Sequence, residues 1–273
     1  MQRRFSTGFA ALARLPQPCM LCGQWDRSGL CTACRQRFLA ASPPRCPTCA
    51  LPGATASRCG ACLRQPPPFA ACLTLTDYGF PWDRLIARFK FQQQPELATL
   101  LSQAMLPVLL AAAQQTDGPP LAQCVLPVPL SPQRLAERGY NQAWELARRL
   151  ANQLALPAQA GWLQRLRDTP HQLGLGRAER ERNLRHAIWL TPEGQRSVAG
   201  LHLALVDDVL TTGGTAAAAS HALLAGGAAS VQVWVLARTP APGARAAAHK
   251  TARRRQKARR DNGSMFHIVL VHP

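Results

Sequence analysis

Between residues 69 and 237 the chain moves repeatedly between two hydrophobic rhythms. Residues 69–78 and 230–237 alternate apolar with other positions, which predicts strands; 123–128 and 187–190 read as two more. Residues 203–206 form a short apolar run suited to a buried strand. Among these stretches the period changes. Trp82, Leu85, Ile86 and Phe89 fall at helical spacing. Pro95 opens a longer helix with Leu97, Leu100, Leu101, Ala104, Met105, Val108 and Leu109 on one face. A helix over 141–154 buries Ala143, Leu146, Ala147 and Leu150, and 216–224 is an Ala- and Leu-rich helix closed by Gly226-Gly227. Strands alternating with helices predict an α/β fold, a parallel sheet with helices on both faces. Ligands of such sheets sit at the carboxyl ends of the strands.

The rhythm fails at both ends of the chain. Up to about residue 65 the pattern is set by four pairs: Cys19 and Cys22, Cys31 and Cys34, Cys46 and Cys49, Cys59 and Cys62. Each Cys-x-x-Cys puts two thiolates on one tight turn, and two such turns complete a tetrahedral zinc site. Eight ligands serve one or two structural zinc ions in a small, double zinc-ribbon-like domain of four-cysteine sites over 16–65. Sequential pairing of the knuckles is the expected scheme, with interleaved pairing the alternative. So short a segment lacks a core of its own, and the metal substitutes for one. Cys72 and Cys124 stand alone and read as small buried hydrophobes. Gln65-Pro66-Pro67-Pro68 reads as a linker into a domain over 69–239. From Thr239 onward Ala, Pro and Arg dominate, which predicts a basic, disordered tail over 240–273.

Composition refines this picture in two ways. The chain has 273 residues and ten cysteines, with no apolar run long enough for a membrane span and no signal-peptide pattern before Pro16. That predicts a cytoplasmic protein whose cysteines hold metal rather than disulfides. The net charge is +18; residues 238–273 carry nine Lys/Arg against one Asp, a net of +8, which leaves +10 elsewhere. Such an excess predicts attraction to polyanions, with Arg27, Arg35, Arg37, Arg45, Arg58 and Arg64 as a candidate nucleic-acid face on the cysteine-rich segment.

The candidate chemistry lies in residues 203–215, Leu-Ala-Leu-Val-Asp-Asp-Val-Leu-Thr-Thr-Gly-Gly-Thr. A buried strand is expected to end at two acids, Asp207 and Asp208. Thr211, Thr212, Gly213, Gly214 and Thr215 then offer hydroxyls and backbone N–H groups before a helix N-terminus, an arrangement that takes a phosphate. Vicinal carboxylates beside a bound 5′-phosphate accept hydrogen bonds from ribose hydroxyls. Acids at the open end of a strand serve a ligand rather than the core. A second Gly-containing strand-to-helix loop carries Arg134 and Arg138, suited to a pyrophosphate. Between them, 164–185 is polar and Arg-rich, the composition of a lid.

Residues 206–215 resemble the phosphoribosyl-pyrophosphate (PRPP) signature of type I phosphoribosyltransferases. Together with the paired cysteine knuckles, Arg138-Gly139-Tyr140-Asn141-Gln142 and the segment containing Thr169, Gln172, Leu173, Arg180, Arg182, Asn183 and Leu184, the chain resembles the ComF family over roughly residues 16–239, closest to its GntX-type members. The resemblance implies a type I phosphoribosyltransferase-like sheet behind a zinc-binding domain. It also implies a setting in natural competence, the handling of single-stranded DNA, or nutrient use. In catalysis, Asp207 and Asp208 would hold the diol and act near the developing positive charge. Thr211 to Thr215 would take the 5′-phosphate, Arg134 and Arg138 would face pyrophosphate with Mg2+, and Thr169, Gln172, Arg180, Arg182 and Asn183 would close over the site. The acceptor would be read by a hood over 76–91, where Tyr78, Trp82 and Phe89 are candidates either for stacking on a base or for the core. Implied partners are PRPP, single-stranded DNA and other competence or DNA-uptake proteins. The alternative is a non-catalytic single-stranded DNA-binding protein that keeps the fold.

Overall fold

Two short strands, β1 (Gln17–Pro18) and β2 (Trp25–Asp26), pair antiparallel, and α2 (Gly60–Arg64) and α7 (Pro192–Ser197) are short helices. Four parallel strands carry the architecture: β3 (Ala71–Asp77), β4 (Cys124–Pro127), β7 (His202–Leu210) and β8 (Ser230–Arg238), in the order β3-β8-β7-β4. The computed structural model describes residues 16–39, 43–53, 57–115, 118, 120–165 and 187–240. Expectations for the tail beyond 240, and for Thr169, Gln172, Arg180, Arg182 and Asn183, fall outside these residues.

Because neighbouring residues of a strand point to opposite faces, each central strand feeds two cores. Ala204 and Val206 of β7, with Trp234 and Leu236 of β8, face a cluster that includes α3 (Trp82–Phe91), α4 (Leu97–Ala113) and α6 (Gln142–Gln153). Leu203 and Leu205, with Val231, Val233 and Val235, face the other cluster. There α8 (Gly214–Ala225) packs beside the antiparallel hairpin of β5 (Leu163–Arg165) and β6 (Ile188–Leu190). Helices on both faces of a parallel sheet are the expected architecture.

The cysteine-rich segment also contributes to both clusters. Cys19, Leu30, Cys31 and Cys34 join the first, the latter two beside and within helix α1 (Thr32–Phe38), while Ala50 joins the second with Phe69 and Cys72. Cys72 and Cys124 are 4% and 2% exposed, and burial pushes the Cys72 thiol up to about 12.

One expectation needs correcting, and one open alternative is decided. Strand β7 does not stop before the acids. Its ladder with β8 continues through Asp207↔Val235 and Leu210↔Arg238, so both acids lie inside the strand. In the hood, Trp82 and Phe89 are buried, and Tyr78 packs half-buried against the same cluster. These aromatics are core, as the helical spacing of Trp82 and Phe89 allows.

The turn between α5 (Pro132–Arg138) and α6 shows why its residues are needed. Gly139 takes φ 77°, a left-handed conformation that closes α5. Asn141 caps α6, its side-chain oxygen accepting from the N–H groups of Ala143 and Trp144, while Asn141 Nδ2 donates to the Val128 carbonyl at 3.1 Å. The Tyr140 hydroxyl donates to the carbonyl of Phe89 on α3. One turn thus ties the end of β4 to two helices.

Replacing Asn141 by Ala removes a cap and the bond to β4. We expect a loss of about 1–2 kcal/mol in urea unfolding, with a smaller loss for Asn141→Asp, which retains the cap.

Candidate functional site

The eight paired cysteines assemble into two tetrads, Cys19, Cys22, Cys31 and Cys34, then Cys46, Cys49, Cys59 and Cys62, with the ligand atoms of each within 4.8 Å of one another. Pairing is therefore sequential. A tetrahedral zinc with bonds of about 2.3 Å separates its sulfurs by about 3.8 Å. The Sγ atoms of Cys22 and Cys31 lie 3.7 Å apart, and those of Cys49 and Cys59 lie 3.6 Å apart. The residues fit structural zinc. In each tetrad the third cysteine's N–H donates to the first sulfur, Cys31 to Cys19 at 3.4 Å and Cys59 to Cys46 at 3.3 Å. Burial alone would raise the thiols of Cys19 and Cys46. The N–H groups around them outweigh it and lower both to about 6, which favours thiolate ligands.

The two knuckles repeat one fold with one difference. The residue after the second cysteine has a positive φ in both, Gly23 at 77° and Ala50 at 56°. Glycine takes this conformation freely; alanine does so under strain. Ala50 is 1% exposed, and its carbonyl accepts from Arg45 Nη1. Of the candidate basic face, Arg45 is therefore occupied, pairing also with Asp77 at 2.7 Å, and Arg35 Nε donates to the Leu30 carbonyl. Arg27, Arg37, Arg58 and Arg64 are exposed.

At the carboxyl end of the sheet, the pleat sends Asp208 toward α3, where its Oδ1 meets Lys90 Nζ at 2.9 Å. Asp208 is 2% exposed, and its Oδ2 is buried without a partner. Asp207 is half-buried, accepting from the Asp208 N–H at 2.8 Å. Burial, reinforced by the Asp208 carboxylate and only partly offset by Lys90, raises Asp207 to about 7. The expectation that both acids serve only a ligand is thus too simple. Asp208 is half of a buried ion pair that joins β7 to α3.

Lys90 also lines a cleft of about 440 Å3 with Phe91, Gln93, Arg134, Glu137 and Arg138. Arg138 lies over the Phe91 ring, 5.2 Å from its centroid, and its Nη1 is buried without a partner. Lys90 thus links the predicted residues, pairing with Asp208 on one hand and lining the cleft with Arg134 and Arg138 on the other. One orphan is a carboxylate oxygen, which needs a hydroxyl or amine donor. The other is a guanidinium nitrogen, which needs an anionic oxygen.

The loop after β7 begins with exposed Thr211 and Thr212. Gly213 takes φ 84° and starts α8, and the Gly214 N–H reaches Thr212 Oγ1 at 3.4 Å. Space around Gly213 is open, so its left-handed backbone is what demands glycine. Gly214 and Thr215 are half-buried at the helix N-terminus.

Sequence reasoning missed Lys90 and Arg238. The signal for Lys90 was present: it is one of only three lysines in an arginine-rich chain. Nothing in the pattern marks Arg238. It is 9% exposed and donates through Nε to the Cys49 carbonyl at 2.9 Å and through Nη1 to the carbonyls of Leu210, Thr211 and Thr239.

A family model described as a double zinc ribbon domain matches residues 12–63. The DNA utilization protein YhgH of Escherichia coli is 38% identical over 234 residues, covering 85% of this chain and 97% of that protein. Competence protein F of Haemophilus influenzae is 35% identical over 216 residues, covering 78% of this chain and 91% of that one. Among solved structures, the glutamine PRPP amidotransferase of B. subtilis has a TM-score of 0.32 at 19% identity, over 52% of this chain but only 26% of its own. So loose a likeness adds nothing to the argument.

Two measurements test the acidic pair. Lys90→Met leaves a buried carboxylate unpaired and should cost about 3 kcal/mol in denaturant unfolding of the zinc-loaded protein; adding Asp208→Asn should restore part of it. Asp207 has a folded value of about 7, above the ordinary 3.8, so the folded state binds its proton more tightly. The stability this contributes is full in acid and is lost as pH rises through 7. Asp207→Asn should therefore gain in Tm relative to the parent between pH 5.5 and 8, and a constant difference would count against the raised value.

Proposed function

The chain belongs to the ComF family, and from that membership we propose that it binds PRPP with Mg2+ and works in the uptake or utilisation of single-stranded DNA. The observation that carries this reading is the pair of unpartnered buried atoms, Asp208 Oδ2 and Arg138 Nη1, on two residues linked through Lys90, which pairs with Asp208 and lines the cleft with Arg138. PRPP offers what they need, ribose hydroxyls for the carboxylates and phosphate oxygens for the guanidinium. The loop Thr211 to Thr215 would take the 5′-phosphate on the N–H groups that begin α8. Arg134 and Arg138 would face the pyrophosphate, whose charge Mg2+ would share when bound.

The reaction proposed is transfer of the phosphoribosyl group to a nucleophilic acceptor. The C1–oxygen bond to pyrophosphate breaks, and its electron pair leaves with pyrophosphate. The acceptor supplies the pair for the new bond at C1. Positive charge building on the ribose falls near Asp207 and Asp208, and the cations of the cleft stabilise the leaving group. Lys90 pairs with Asp208 Oδ1 at 2.9 Å and so aims its carboxylate. Asp207, close to neutrality at about 7, is suited to exchange a proton with the acceptor. A cytoplasmic location belongs to the same proposal: no helix among the described residues is long and apolar enough to cross a membrane, and the cysteines fit metal rather than disulfides. So does the division into 16–65, 69–239 and 240–273.

A second reading, a non-catalytic single-stranded DNA-binding protein, is favoured by one surface. Phe80 and Phe91 are 68% and 69% exposed, and between them in sequence lie Arg84, exposed, and Arg88, half-buried with its Nε donating to Gln94. Arg84 sits over the Phe80 ring at 5.3 Å, and Phe80 makes an edge contact with Phe38 of the cysteine-rich segment. Aromatics with arginines beside them suit unpaired bases.

Calorimetry decides the first reading. PRPP with Mg2+ should bind the parent protein, and Arg138→Gln, still folded, should bind at least about tenfold more weakly, as expected for loss of a charge-assisted bond. No detectable binding to the parent would end it. Pyrophosphate release from PRPP in the presence of single-stranded DNA or nucleobases marks the enzyme. PRPP-independent DNA binding without turnover, weakened by Phe80→Ala and Phe91→Ala, marks the alternative.

A further inference from the structure

We infer that Arg238 is a positioning residue that couples the second cysteine tetrad to the loop Thr211 to Thr215. The inference rests on reading that loop as a phosphate site. Arg238 closes strand β8, beside Leu210 at the end of β7 and Asp77 at the end of β3. Its Nη1 donates to the carbonyls of Leu210, Thr211 and Thr239, and so holds the base of the loop. Its Nε donates to the carbonyl of Cys49, a tetrad residue. The guanidinium fork is planar and rigid, so a shift of one partner is felt by the others.

A second arginine doubles the connection. Arg45 Nη1 donates to the carbonyl of Ala50, the residue after Cys49, and to Asp77 Oδ1. Asp77 is the residue opposite Arg238 in the β3–β8 ladder. The Cys49-Ala50 turn is therefore pinned to the sheet by two adjacent carbonyls. That turn keeps its shape through the tetrad, and Ala50 holds a strained φ of 56° within it.

Charge gives the coupling a direction. Arg238 is nearly buried, and the hydrogen bonds of its guanidinium go to carbonyl oxygens. Among the described residues no carboxylate forms an ion pair with it, so an anion taken up by the loop would add a charge partner on that side. Coupling between two sites is reciprocal: metal in the second tetrad should favour the anion, and the anion should favour retention of that metal.

The test uses the full-length, zinc-loaded protein and three variants: Arg238→Lys, which keeps the charge but not the fork, Cys59→Ser in the second tetrad, and Cys22→Ser in the first. Hydrogen exchange is read at residues 210–214. We expect exchange about tenfold faster in Arg238→Lys and Cys59→Ser, and unchanged in Cys22→Ser. PRPP should slow zinc release to a chelator from the parent and not from Arg238→Lys. The inference is overturned if Arg238→Lys keeps protection at 203–207, showing it folded, and exchanges at 210–214 like the parent. That arm holds even if Cys59→Ser fails to fold. It also needs no ligand, so a parent that does not bind PRPP would end the functional reading while leaving the coupling to be judged by exchange alone.

Discussion

The contact between Lys90 and Asp208 is the constraint on which the site depends. A carboxylate this deeply buried is tolerable only with a cation against it, and the cation comes from a different element. The pair therefore fixes α3 against β7, and with α3 it fixes Phe89 in the core and Phe91 at the cleft. Tyr140 extends the same connection, since its hydroxyl bonds to the carbonyl of Phe89 and its turn carries Asn141 back to β4. Acids and loop share one stretch of chain, and the arginines and Lys90 come from two others. Their convergence follows from one buried charge needing one partner.

The metal tetrads act on this frame from outside. A segment as short as 16–65 buries too little apolar area to hold itself together, and the structure compensates twice, with thiolate clusters and with docking onto both cores. The first tetrad sits among residues that also touch α3 and α4, the second beside the edge strand β3. Neither is a remote appendage of the sheet. Both lean on the elements that carry the candidate site.

Much of this was legible in the sequence because it depends on period and spacing. The strand and helix rhythms located every element of the sheet, and the Cys-x-x-Cys pairs announced the tetrads. Left-handed turns were written as glycine at 139 and 213. Three things were not legible. Strand β7 runs on through the acids because β8 runs beside it, and ladder length is a property of the pair. Lys90 looked like the end of an amphipathic helix, since its partner lies well over a hundred residues away in the chain. Arg238 works through backbone carbonyls, which leave no trace in residue identity.

The difference between Gly23 and Ala50 separates the two knuckles in their autonomy. Gly23 has nothing near its missing Cβ, so the first turn is comfortable wherever it is placed. Ala50 holds an unfavourable backbone, and its methyl group is compensated by packing against the sheet. A glycine there would relax the turn and leave a hole; a larger side chain would fit neither. The second knuckle is thus specialised to its mounting. Its shape belongs partly to the surface it rests on, so it is not a module that evolution can freely transplant, whereas the turn of the first knuckle carries no such debt.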